Sequence, residues 1–131
     1  MKIKNIKFKA KCLDDNTWVE GYFYAECGNA YIIEDRQSES MLNRNDAHQV
    51  DPSSVCQFTG EKDMNGDNIY VGDIISNLET NSVVEVTWND RLKRLDCKFL
   101  NADKGLEMPF GIFVSRYKRI VVLMSKFDKK K

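Results

Sequence analysis

A chain of 131 residues with 20 basic and 20 acidic side chains has no formal net charge, so nothing in its balance predicts long-range attraction to nucleic acid or an anionic membrane. Its 42% hydrophobic content is enough for the core of one compact domain or two small lobes, and its 31% charged content is not segregated into a disordered block. No apolar run is long enough to cross a bilayer as a helix, and the lysine-alternating start lacks the apolar core of a secretory signal, which predicts a cytoplasmic protein with no membrane contact.

The first strand is written in alternation. Ile6, Phe8, Ala10 and Cys12 fall on one face of a period-two segment, and Lys7, Lys9 and Lys11 on the other. The basic face reads as a wetted strand surface, with nucleic-acid contact as the alternative. Asp14-Asp15-Asn16 reads as a turn and Trp18 to Ala25 as the returning hairpin strand. In that strand Val19, Gly21 and Phe23 share one face, while Trp18, Tyr22 and Tyr24 share the other with Glu20. Both faces carry large side chains, so one is expected to serve the core and the other a second lobe or subunit. Cys27-Gly28-Asn29 interrupts the pattern, and Ala30 to Ile33 is a further short strand.

Asp35 to His48 is polar without a helical stripe, and reads as a long loop carrying at most a short helical turn. His48 is the one histidine, and without a nucleophile or metal cluster it reads as a surface or structural residue. Val50-Asp51-Pro52 begins a restrained approach, with a short 3₁₀ turn predicted over Ser53, Ser54 and Val55.

Residues 58 to 75, FTGEKDMNGDNIYVGDII, organise the rest. Asn65-Gly66 is the strongest turn signal in the chain, because Gly66 takes positive φ at little steric cost. Gln57 to Thr59 reads as a strand, Gly60 to Asp63 as part of the polar turn, Ile69 to Val71 as a strand, and Gly72-Asp73 as a corner before Ile74-Ile75. Gly60, Asp63, Asn65, Gly66, Gly72 and Asp73 are thus structural turn residues. An EF-hand is excluded here: with Asp63 first, Gly66 falls fourth rather than sixth and Ile74 occupies the twelfth position.

Phe58-Thr59-Gly60, Lys62-Asp63 with Asn65-Gly66, and Ile69-Tyr70 with Gly72-Asp73-Ile74 resemble the signature of the YopX protein family of phage and prophage proteins. Ile6 to Ala10, Trp18 to Tyr22, and Val50-Asp51-Pro52 leading to Val55 and Gln57 fit the same pattern, so the resemblance spans residues 3 to 88. It implies a bacterial or phage-infected cell and supplies no activity. The family often closes with an Ile-Gly-Asn-Ile-Tyr-like segment, where this chain has Ile120-Val121-Val122-Leu123-Met124.

Beyond the signature, Val83 to Trp88 and Leu95 to Phe99 alternate as half-buried strands. Pro109 and Gly111 argue against one clean helix over Leu106 to Val114, so Phe110, Ile112 and Val114 are expected in a strand or loop. Arg119 to Met124 is the last strand, apolar on both faces, and Lys129 to Lys131 form a solvated tail. The predicted class is mainly β: short strands in a bent sheet, with an SH3-like barrel in the C-terminal half. The predicted division is an N-terminal lobe over 1–54, a barrel-like lobe over 55–127 and a tail over 128–131.

No Walker, Rossmann or HExxH pattern occurs, and the serines near Cys56 do not make a triad with His48. Cys12, Cys27, Cys56 and Cys97 are too dispersed for zinc pairs and read as free thiols. No catalytic residue, cofactor or metal is therefore assigned, and an enzyme ranks lowest. Protein binding or assembly leads, either as a homo-oligomer or with a host or phage protein. Its candidate interface residues are Trp18, Tyr22, Tyr24, Ile120 and Val122. The alternative is nucleic-acid binding through Lys7, Lys9, Lys11, Arg91, Lys93 and Arg94.

Overall fold

The computed structural model describes residues 7–34, 47–100 and 106–128, and the chain divides into two compact units, Met1–Phe58 and Thr59–Lys131. The division falls within a strand, four residues beyond the boundary expected at 54.

The first unit contains β1 (Phe8–Lys11), β2 (Trp18–Glu26), β3 (Asn29–Glu34), β4 (Ala47–Val50) and the start of β5 (Cys56–Lys62), in the antiparallel order β4-β3-β2-β1-β5. Alternation sorts the side chains. Ala10, Cys12, Val19, Ala30, Ile32 and Val50 form a buried cluster with Phe8 and Val55 packed against it, while the lysines of β1 lie on the other face. Cys27 and Gly28 make the two-residue turn between β2 and β3, both at positive φ (54° and 80°), the backbone twist that suits a tight hairpin. The end of β1 also reaches β4: Cys12 bridges Val50, the Leu13 N–H donates to the Gln49 carbonyl, and the Asp51 N–H donates to the Lys11 carbonyl.

A 3₁₀ turn follows over Pro52–Ser54, one residue earlier than expected. Asp51 caps it by accepting from the Ser53 N–H and hydroxyl, with proline at the position where no N–H is needed. Ser54 ties this turn to β1, its Oγ accepting from the Lys11 N–H and donating to the Asp51 carbonyl. Ala47 and His48, expected at the end of a loop, begin β4 instead; pairing with Ile32 and Ile33 decides their conformation despite a weak local pattern. Residues 35–46 of that expected loop lie outside the described residues.

The second unit holds the far end of β5 with β6 (Asn68–Tyr70) beside it, then β7 (Asp73–Asn77), β8 (Ser82–Asn89), β9 (Arg94–Phe99), β10 (Glu107–Pro109), α1 (Phe110–Arg116) and β11 (Ile120–Ser125). Its five-stranded sheet has the order β10-β9-β8-β7-β11, antiparallel throughout. The mainly β class is what forms, but the expected SH3-like barrel is not. β10 and β11 end the sheet on opposite sides without closing it, and α1 covers its apolar face.

That helix is the second correction. Phe110, Phe113, Val114 and Tyr117 repeat at i, i+3, i+4 and i+7, and Phe110 and Phe113 enter the core beside Ile69, Ile75, Val84, Val86, Cys97 and Ile120. Reading Phe110, Ile112 and Val114 as alternation picked the wrong period: Ile112 is exposed. Pro109 stands outside the helix as its N-cap, in extended conformation, and Gly111 lies on the exposed side.

Cys97 gives this core a pH signature. Burial, with the Asp96 carboxylate next to it, pushes the thiol from its ordinary 9.0 up to about 12. The thiol of the unfolded chain ionises first, so stability is intact below pH 9.0 and declines as pH rises from there toward about 12. The slope is at most about 1.4 kcal/mol per pH unit. Urea midpoints on both sides of pH 9.0 are expected to show this decline in the wild type. Cys97→Ala is expected to be less stable throughout, because it leaves a cavity, but to lose that component of the slope.

Candidate functional site

The signature turn is built by one carboxylate. Asp63 is 6% exposed. Its Oδ1 accepts from the N–H groups of Asn65 and Asp67, both at 2.9 Å, while its own N–H donates to the Asp67 carbonyl at 2.8 Å. The Gly66 N–H closes onto the Asp63 carbonyl at 3.0 Å, and Gly66 has φ 86°. The remaining oxygen, Oδ2, accepts from the Val122 N–H of β11 at 2.9 Å, and the Met64 N–H donates to the Ile120 carbonyl at 2.9 Å. Asp63 thus folds its own turn and fastens that turn along the side of β11 away from β7. Outward groups on an edge strand invite pairing with another chain, and here two of them are occupied.

The second half of the signature works similarly. Asp73 is fully buried and its Oδ2 accepts from the Tyr70 N–H at 2.8 Å. Gly72, with φ 99°, donates its N–H to the Val86 carbonyl and accepts from the Lys126 N–H. Gly60, also at positive φ (93°), lies within β5 and has open space around it. The specific residues of the motif therefore hold strands and corners.

The outward face of the first unit is chemically different. Pairing sets Lys11 opposite Trp18 and Lys9 opposite Glu20, so lysines and aromatics share one surface. The Lys9 and Lys11 ammonium groups lie 4.6 and 5.3 Å from the Trp18 ring centroid. Tyr24 pairs with Tyr31 across the hairpin, their rings stacked at 5.0 Å and 13°. Tyr22, 36% exposed, stands opposite Ile33 on the same face. Trp18, Tyr22 and Tyr24 are thus brought together with two of the candidate cations, Lys9 and Lys11. Tyr31 was not singled out in the sequence. Counting outward from the Cys27-Gly28 turn would have found it, because a two-residue hairpin fixes which residues face each other.

Ile120 and Val122 are placed elsewhere. Ile120 is 3% exposed within the core of the second unit and Val122 packs against that core; on the same strand Leu123 is the exposed residue, at 54%. Arg91, Lys93 and Arg94 occupy the β8–β9 turn and the start of β9. Lys93 lies 3.3 Å from Asp90. The Arg94 Nε donates at 2.7 Å to Asp96, a fully buried carboxylate whose other oxygen accepts from Asn89 Nδ2 at 2.8 Å. Arg94 therefore compensates an internal charge.

His48 Nε2 lies 3.3 Å from Glu34 Oε1 without the alignment of a hydrogen bond. Among the described residues no group of three or more histidine, cysteine, aspartate or glutamate side chains is disposed to hold a metal ion. All four cysteines are free thiols; Cys12, Cys56 and Cys97 are buried and Cys27 is exposed at its hairpin turn. Burial also raises the Cys12 thiol above its ordinary range.

No curated protein matches the sequence. A family model described as YopX protein matches residues 7–119, a span that includes the aromatic and lysine face, the Asp63 turn, and every strand except β11. With that span covering most of its length, the chain belongs to the YopX protein family.

Proposed function

We propose that this protein is a recognition module that binds another protein through the β1–β2–β3 face bearing Trp18, Tyr22, Tyr24 and Tyr31. One observation carries the reading: the aromatics lie on the sheet face opposite the buried cluster, with Trp18 already ordered by lysines and Tyr24 and Tyr31 by each other. Rigid aromatic side chains bury large area at small entropic cost, and their polar tips satisfy a partner's hydrogen bonds. Glu20 beside Lys9 and Lys11 gives the face both charges, which suits a protein rim better than a phosphate backbone.

The alternative is single-stranded nucleic acid, favoured by lysines and aromatics on one sheet face. It ranks second because Trp18 already engages two ammonium groups and Tyr24 and Tyr31 stack on each other, which leaves fewer ring faces for bases. The working context is the cytoplasm of a bacterial or phage-infected cell. Among the described residues no helix is long and apolar enough to cross a membrane.

A photo-crosslinking residue placed at Tyr22 and, as control, at exposed Leu123 tests the reading in bacterial cells. Discrete protein adducts at position 22 and none at 123 are expected; adducts to nucleic acid at position 22, or equal patterns at both positions, would overturn it. Adducts between two copies of this chain would identify a homo-oligomer, which light scattering over a concentration series then checks.

A further inference from the structure

The segment joining α1 to β11 collects positive charge and backbone donors in one place. Arg116, Lys118 and Arg119 are exposed, and none makes an ion pair among the described residues. The consecutive N–H groups of Lys118 and Arg119 both donate to one oxygen, Glu79 Oε2, at 2.9 and 3.2 Å. Glu79 arrives from the β7–β8 turn, held there by its own N–H donating to Asn77 Oδ1 at 2.9 Å and by the Leu78 N–H donating to the Arg119 carbonyl at 2.8 Å. Adjacent amides converging on one oxygen among cationic side chains are the chemistry of an anion site.

We propose that residues 116–119 form a docking site for a carboxylate on an acidic segment of a partner protein, and that Glu79 occupies this site from within the chain until the partner displaces it. The ligand is already represented: the oxygen that the two amides hold is a carboxylate oxygen. Charge complementarity argues for an acidic segment, because three cations remain to pair with its further carboxylates once Glu79 is displaced. Displacement is feasible because Glu79 and both of its hydrogen bonds are solvent-exposed, where water can replace either partner. The inference deepens the protein-recognition reading by giving it a partner chemistry, but it uses none of the residues of the β1–β2–β3 face.

The test is a low-salt titration of labelled oligoglutamate into the full chain, read by fluorescence anisotropy and by the amide resonances of Lys118 and Arg119. Wild-type protein is expected to bind weakly, with those two amides among the largest shifts. Glu79→Ala, which removes the internal competitor, is expected to bind about tenfold or more tightly, a difference of about 1.4 kcal/mol. Lys118→Glu combined with Arg119→Glu is expected to abolish binding while leaving the rest of the amide spectrum in place.

If Glu79 is only a strut, Glu79→Ala will keep its spectrum and bind no better than wild type, and the proposal fails. Tighter binding of an oligothymidylate than of oligoglutamate at the same loop overturns it in favour of nucleic acid. Should Glu79→Ala not fold, Glu79→Gln serves instead, since it weakens the carboxylate competitor and keeps the shape. Failure at Tyr22 with success at residues 116–119 would remove the aromatic face from the interface and leave this site standing.

Discussion

Asp63→Ala is expected to lower the unfolding free energy of the second unit by about 3–5 kcal/mol. Three N–H groups, those of Asn65, Asp67 and Val122, lose a charged acceptor in a place where the carboxylate is nearly inaccessible to water. Asp63→Asn separates the two tasks of the side chain. Its carbonyl oxygen can still accept from Asn65 and Asp67, but its NH₂ then faces the Val122 N–H, donor against donor. Roughly half the loss is expected for the asparagine variant, concentrated at β11. Urea melts give the free energies, and hydrogen exchange at the Val122 amide gives the location. Melts of Asp63→Ala within error of wild type would show that the turn does not hold the strand. Released from the turn, the outward side of β11 would also be open to pairing, so concentration-dependent association of the variant is the expected secondary effect.

Gly21→Ala is expected to disrupt the first unit by about 3 kcal/mol or more, because the added methyl has nowhere to go. A Cβ on Gly21 would collide with the carbonyl oxygen of Ile33 on the neighbouring β3, with Ile33 C and Glu34 Cα close behind; all three are backbone atoms that no side-chain rotation can move. The strands must separate or slip, and a one-residue slip would exchange the buried cluster for the aromatic face. Gly28→Ala is the control. It sits in the turn of the same hairpin at φ 80° with nothing within 4 Å, so it suffers backbone strain alone, about 1–2 kcal/mol. Equal melting of the two variants would contradict a steric origin for the effect at Gly21. Loss of crosslinking through Tyr22 in Gly21→Ala, at a temperature where Gly28→Ala retains it, would connect hairpin geometry to recognition.

Strand positions were readable where one face alone is buried. β1 announces itself by alternation, and the Asn65-Gly66 turn by a glycine that accepts positive φ at a low cost. Reading failed where two periods fit the same letters. In 110–117 the apolar positions satisfy strand alternation at 110, 112 and 114 and helical spacing at 110, 113, 114 and 117; burial of Phe113 decides between them. β4 was missed because Ala47, His48 and Gln49 carry almost no pattern, and their conformation comes from the ladder with β3.

For the candidate surface, alternation placed Trp18, Tyr22 and Tyr24 on one side of β2, because side-chain direction along a strand is a local property of the backbone. Alternation alone could not place Tyr31 or the lysine ammonium groups against them, since those neighbours are set by pairing register, which for Tyr31 follows from the hairpin turn. The same limit explains Ile120 and Val122: a strand apolar on both faces can be sealed by its own chain or by another, and the letters are identical in either case. Burial of Ile120 in the core, and the fastening of β11 by Asp63, are matters of which distant segments meet.

The order of residues was sufficient to establish a mainly β protein, its Asn65-Gly66 turn and its family, because periodicity, glycine conformations and a family signature are carried by neighbours along the chain. The open sheet, the helix over Phe110–Arg116, the carboxylates of Asp63 and Glu79 on distant backbone amides, and the clustering of rings with lysines were settled only by folding. The rings and lysines meet across hairpins; the other features rest on contacts between residues far apart in the chain, whose free energy depends on burial and alignment that no short window of sequence contains.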